Sequence, residues 1–132
     1  MKTGIFYGST TGATADIARR IARALGVGES DIHDVARTAP AVLGDYGLLV
    51  LGSSTWGNGE VQDDWYDFLD GAEALDLRGK SIAIFGEGDE TMTDTFCAAM
   101  SVIRRRLADT GATFKGEFPA TPYSFHTSPS LL

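Results

Sequence analysis

The sequence predicts an α/β fold: one domain over residues 1–132, with a parallel sheet doubly wound by helices on both faces. Three observations predict it. Short apolar runs alternate with stretches of helical period along most of the chain. No internal repeat or low-complexity linker breaks that alternation. The length of 132 residues and the apolar fraction of 43% suit a single domain with a real core.

The first strand is expected over residues 3–7, followed by a helix over 14–25. Ile17, Ile21 and Leu25 recur on one face of that helix at i, i+4 and i+8, and Gly26 stands where a helix-ending glycine belongs. A short second strand is expected over 31–35. Thr38-Ala39-Pro40 then reads as a helix start, with the proline in the first turn. The third strand, residues 48–51, is apolar on both faces and therefore central. A helix rich in aromatics follows over 62–69, and the fourth strand covers 81–85. A further helix runs over 94–109 with Phe96, Met100, Ile103 and Leu107 as its buried stripe. The fifth strand covers 113–118. Crossovers between such parallel strands are right-handed.

Charge and cysteine content exclude several functions. The formal net charge is -7 and the only cysteine is Cys97. An acidic chain repels nucleic acid and anionic membrane and suits partners with basic faces. A lone cysteine makes no internal disulfide, and no apolar run reaches the length of a signal peptide core or a membrane span. A soluble, cytoplasmic protein is expected. Cys97, His33 and His126 read as packing or surface residues, and the basic clusters Lys2, Arg19, Arg20, Arg23 and Arg104-Arg105-Arg106 as solvated faces.

Ligands of open α/β sheets sit beyond the carboxyl ends of the strands, which directs attention to the loops after strands one, three and four. The first loop is Ser9-Thr10-Thr11-Gly12-Ala13-Thr14. Its hydroxyls and free N–H groups meet the positive end of a helix dipole, the geometry of a phosphate cradle. Four hydroxyls in six residues exceed what capping a helix needs. The loop lacks the lysine of a triphosphate loop and the three glycines of a dinucleotide loop. The second loop, Ser53-Ser54-Thr55-Trp56-Gly57-Asn58-Gly59-Glu60, carries an indole among small residues. It would either cover the domain edge or stack on a flat ligand. Trp65 and Tyr66 read as helix packing. The third loop, Gly86-Glu87-Gly88-Asp89-Glu90-Thr91-Met92-Thr93, is an acidic turn whose glycines allow close approach of backbone to a ligand edge. Its placement at the same sheet end as the other two is what gives it weight.

These stretches resemble the flavodoxins, specifically the long-chain bacterial type. Ser9-Thr10-Thr11-Gly12-Ala13-Thr14 resembles the family's [ST]-x-T-G-x-T phosphate loop, and Thr55-Trp56 its flavin-stacking loop. Phe85-Gly86-Glu87-Gly88-Asp89-Glu90 resembles its G-x-G-D-Q loop. Phe96-Cys97-Ala98-Ala99 and Gly111-Ala112-Thr113-Phe114 also match, so the likeness runs in order to about residue 128. The resemblance implies the flavodoxin-like strand order 2-1-3-4-5, of which flavodoxins are the standing example. It implies flavin mononucleotide (FMN) as cofactor, its phosphate held by Ser9, Thr10, Thr11, Gly12, Ala13 and Thr14. Ser54, Thr55, Trp56, Gly57, Asn58 and Gly59 would flank the flavin ring. The peptide after Gly57 would turn its carbonyl toward flavin N5 on one-electron reduction. Gly86, Glu87, Gly88 and Asp89 would meet the pyrimidine edge.

Two departures from the family pattern shape the expectations. The third loop usually carries a tyrosine over the second flavin face; here Thr91-Met92-Thr93 has no aromatic, and Met92 would cover the ring instead. Long-chain members also continue beyond the position of Leu132, completing the last strand and adding a final helix. Without that helix about 400 Å² of apolar sheet would lie bare, worth about 10 kcal/mol, which rivals a domain's net stability of about 5–15 kcal/mol. A fragment, a homodimer or swapped assembly, or a tail folded over that face would each answer it.

The implied function is that of a low-potential one-electron carrier between soluble redox proteins, reductases and electron acceptors with basic surfaces, rather than an enzyme. Residues 60–94 hold Glu60, Asp63, Asp64, Asp67, Asp70, Glu73, Asp76, Glu87, Asp89, Glu90 and Asp94 against only Arg78 and Lys80. Such a negative rim would lower the second flavin potential and steer basic partners. The competing readings are an FMN-dependent NAD(P)H or quinone reductase on the same fold, and a truncated form that no longer binds FMN. A phosphoacceptor receiver domain is excluded, because Gly8-Ser9 and Gly52-Ser53 stand where its aspartates would be.

Overall fold

A computed structural model describes residues 2–8, 13–56, 60–61, 64–87 and 93–120. Strand β1 (Thr3–Gly8) leads into helix α1 (Ala13–Leu25). The helix forms where Ile17, Ala18, Ile21 and Ala22 line one buried face, with Asp16 in the first turn and Arg23 in the last to match the helix dipole. It ends in a Schellman cap. Gly26 takes φ +72, the Val27 N–H donates to the Ala22 carbonyl at 2.8 Å and the Gly26 N–H to the Arg23 carbonyl at 3.4 Å.

Strand β2 (Ile32–Asp34) is short, and the helix expected from residue 38 is a 3-10 helix, Pro40–Asp45, with the proline in its first turn. Strand β3 (Leu48–Trp56) is followed by a two-residue strand β4 (Glu60–Val61), which pairs antiparallel with Thr55 and Trp56. Helix α2 (Asp64–Ala72), strand β5 (Ser81–Glu87), helix α3 (Thr93–Leu107) and strand β6 (Thr113–Ala120) complete the order.

The main sheet is parallel throughout in the order β2-β1-β3-β5-β6, which is the expected 2-1-3-4-5 once β4 is set aside. β6 pairs with every residue of β5, with Lys115 as the extra residue of a bulge opposite Ile82 and Ala83. Pro119 is tolerated because β6 ends the described strand order. On one face α2 and α3 cover Phe6, Leu49, Leu51, Ile82 and Ile84. Met100, Ile103 and Leu107 of α3 are buried there as expected, while the Phe96 side chain lies outside the described residues.

On the opposite face α1 covers Ile5, Val50, Ala83 and Phe85, all 0% exposed. The sheet on this side is thus buried as far as β5, and the tail expected over it, residues 124–132, lies outside the described residues. Two contacts are seen there. Helix α1 reaches across β1 and β3 to touch β5. The Phe85 ring lies over Gly52 on the neighbouring strand, where a Cβ would collide with three ring carbons. The final helix of the expectation would follow residue 120, outside the described residues.

Candidate functional site

β1, β3 and β5 are adjacent and parallel, so their carboxyl ends share one edge of the sheet. Gly8 stands opposite Ser53, and Ser53 opposite Gly86. With strands about 4.8 Å apart, the three loops depart within about 10 Å of one another. The strand order reverses between β1 and β3: the chain leaves β1 for β2 on one side and returns to β3 on the other. That crevice is where open α/β sheets hold ligands.

Of the phosphate-loop residues, Ser9, Thr10, Thr11 and Gly12 lie outside the described residues. Ala13 opens α1 and Thr14 follows it. Thr14 is 1% exposed, and its Oγ1 makes no hydrogen bond; it is the one buried side-chain oxygen or nitrogen so orphaned among the described residues. A buried hydroxyl without a partner costs about 1–3 kcal/mol. Here it stands in the first turn of a helix, beside N–H groups that have no partner within that helix. The arrangement is what an anion with oxygen acceptors would complete.

The backbone of Ser54, Thr55 and Trp56 is the last part of β3, rather than the loop expected; Gly57, Asn58 and Gly59 lie outside the described residues. Antiparallel pairing with β4 anchors both flanks of that segment, Trp56 opposite Glu60. Beneath it Trp65 is fully buried, donates its indole N–H to the Gly52 carbonyl at 2.9 Å and meets Phe68 edge-on at 5.4 Å. Trp65 is thus a packing residue, as its helical position implied. Ser53 is also buried at this edge. Gly86 and Glu87 end β5, whereas Gly88, Asp89 and Met92 lie outside the described residues.

Three residues of the expected acidic rim, Asp70, Glu73 and Asp76, are ion-paired. Arg106 of α3 bridges Asp70 of α2 and Glu73 just past its end, both at 2.6 Å. Arg78 clamps Asp76 at 2.7 Å and holds its carboxyl down to about 2. Asp64 and Asp67 stand in the first turn of α2, where they match the helix dipole. Sequence reasoning missed the Arg106 bridge because it spans 33 and 36 residues of chain.

A polar cluster that the sequence did not announce lies toward the other end of the sheet. Tyr46 is buried against Gly4 and donates its hydroxyl to Asp31 at 3.0 Å, while His33 Nε2 stands 2.7 Å from the same oxygen. Burial and the Asp31 carboxylate push the Tyr46 phenol up to about 12. Burial also lowers the His33 pKa, and its ring stacks on Phe6 at 4.9 Å. Among the described residues no group of three His, Cys, Asp or Glu is placed to hold a metal, and no helix is long and apolar enough to cross a membrane.

Comparison with known proteins agrees with this geometry. A family model described as Flavodoxin matches residues 5–123. Flavodoxin 1 of Salmonella typhimurium is 43% identical over 130 residues, which cover 98% of this chain and 74% of that protein. The crystal structure of oxidised flavodoxin 2 from Bacillus cereus superposes with a TM-score of 0.78 at 31% identity, covering 99% of this chain and 90% of that one. The Fusobacterium nucleatum flavodoxin crystallised with flavin mononucleotide gives a TM-score of 0.74 at 25% identity, over 86% of this chain and 69% of that one.

Proposed function

The chain belongs to the flavodoxin family, and on that premise we propose that it is a low-potential one-electron carrier holding FMN without a covalent bond. It is an electron-transfer protein rather than an enzyme, and FMN, when bound, supplies the redox chemistry. The motifs at Phe85–Glu90 and Phe96–Ala99 support the long-chain type within the family.

The observation that carries the reading is the orphaned Thr14 hydroxyl, buried at the head of α1 on the edge where three loops depart. Its O–H would donate to the FMN phosphate, beside the N–H groups and hydroxyls of Ser9, Thr10, Thr11, Gly12 and Ala13. Hydrogen bonds to a charged acceptor are worth about 1.5–3 kcal/mol each, which suits a cradle without a cation. Ser54, Thr55, Trp56, Gly57, Asn58 and Gly59 would flank the ring, with Trp56 the residue that would stack on it. Gly86, Glu87, Gly88 and Asp89 would meet the pyrimidine edge, and Met92 would cover the second face.

Asp64 and Asp67 hold negative charge in the first turn of α2. They favour partners with basic surfaces, soluble reductases and electron acceptors, and make encounter rates fall with salt. A net charge of -7 supports the same choice and a cytoplasmic setting without nucleic acid or membrane partners.

The test is titration of FMN-free protein with FMN and, in parallel, with riboflavin, which lacks the phosphate. Tight quenching of flavin fluorescence by FMN and much weaker binding of riboflavin are expected. Equal affinities would remove the phosphate cradle from the account. A second reading has one sequence feature in its favour: Thr91-Met92-Thr93 lacks an aromatic, and were Met92 not over the ring, a substrate would have room there. Bleaching of the holoprotein by NADPH alone, at a catalytic rate, would favour that reductase reading.

A further inference from the structure

We propose that the hollow between the second half of α1 and the start of β2 binds a small amphiphilic monocarboxylate, one apolar ring carrying a short acid arm. The cavity holds about 320 Å³ and is lined by Arg19, Ala22, Arg23, Val27, Glu29 and Ile32. That volume lies at the lower end of the range of small-molecule sites, about 300–1,000 Å³. The turn that closes it is set by the Schellman cap at Gly26, which carries Val27 back toward Ala22.

The lining divides by chemistry. Ala22 belongs to the apolar cluster under α1, and Val27 and Ile32 pack partly buried against it; together they form the apolar floor. Arg19 and Arg23 stand four residues apart on α1, so their guanidiniums rise from one face of the helix. Arg19 pairs with Asp16 at 3.2 Å across exposed surface, a contact of small worth. Arg23 makes no ion pair among the described residues. Two cations thus line the hollow against one lining anion, Glu29, with Asp16 paired to Arg19 outside the lining. A planar carboxylate matches a guanidinium fork, and an apolar body covers the floor. Glu29 disfavours a second negative charge, which selects a monoanion over a dianion. Inorganic phosphate or sulfate would leave the apolar floor bare.

The hollow is separate from the cofactor edge. Arg23 lies nine residues along α1 from Thr14, about 13 Å at 1.5 Å per residue, so the inference stands or falls independently of FMN binding.

The test uses 3-phenylpropionate as the probe, titrated into nitrogen-15-labelled, FMN-loaded protein and followed by amide chemical shifts. Saturable shifts confined to residues 19–32 are expected, weakened about tenfold in R23Q and in R19Q and by raised salt. The neutral 3-phenylpropanamide should not saturate. The proposal is overturned if the acid gives no saturable shift, if acid and amide bind alike, if the shifts centre elsewhere, or if both glutamine variants bind as the parent does.

Discussion

Replacing Thr14 by valine should push two measured quantities in opposite directions. Valine keeps the shape of threonine, exchanges the hydroxyl for a methyl and has a similar helix propensity. Thr14 is 1% exposed and its Oγ1 has no partner, so FMN-free protein carries the desolvation cost of that oxygen. The variant removes the cost and should stabilise the FMN-free form by about 1 kcal/mol, the lower part of the range for a buried unsatisfied group. With a urea slope of about 2 kcal/mol per molar, the midpoint should rise by about 0.5 M. FMN affinity should fall, because a hydrogen bond to phosphate worth about 1.5–3 kcal/mol is lost, a factor of about 10–150. Thr14→Ser, which retains the donor, should lose far less, and riboflavin binding should be indifferent to either change. The assays are urea unfolding of the FMN-free protein and fluorescence titration with FMN. A variant that loses stability and leaves FMN affinity intact would refute the reasoning, since the hydroxyl would then serve the fold.

Four further outcomes are expected. Gly52→Ala places a methyl against the Phe85 ring and should cost about 1–3 kcal/mol, recovered in part by Phe85→Leu in the same chain, as urea unfolding would read. Tyr46 has a folded pKa of about 12 against an ordinary 10.0, so its protonated form stabilises the fold fully below pH 10.0 and that contribution is lost as pH rises toward about 12; alkaline unfolding of Tyr46→Phe should lack this descent. Arg106→Met should cost about 1 kcal/mol at low salt and less at high salt, because it removes the bridge to Asp70 and Glu73 on a partly exposed surface. Met92→Ala should weaken FMN binding several-fold, and an unchanged dissociation constant would take Met92 off the ring.

The fold was legible wherever apolar period and strand length coincide. The two faces of the sheet, the stripe Met100, Ile103 and Leu107, and the Gly26 cap all follow from spacing. β3 was read only to residue 51 because Gly52-Ser53-Ser54-Thr55 carry no apolar signal; pairing with β1 and β5, and then β4, carries the strand on to Trp56. The 3-10 helix at Pro40–Asp45 announced its start but not its type. The packing of the Phe85 ring over Gly52 on the next strand was not legible, since it is a cross-strand contact. At the site, the hydroxyl-rich loop was visible in the residues, but that Thr14 points inward without a partner is a property of packing. The pairing of Asp70 and Glu73 was not legible, because Arg106 reaches them across 36 and 33 residues.

The most direct test of the whole account is a potentiometric titration of the FMN-loaded protein followed by its visible spectrum. Two resolved one-electron steps, the second at markedly lower potential, are predicted for a carrier whose loops and acidic edge enclose the flavin. A single two-electron step, or a potential equal to that of free FMN, would contradict it.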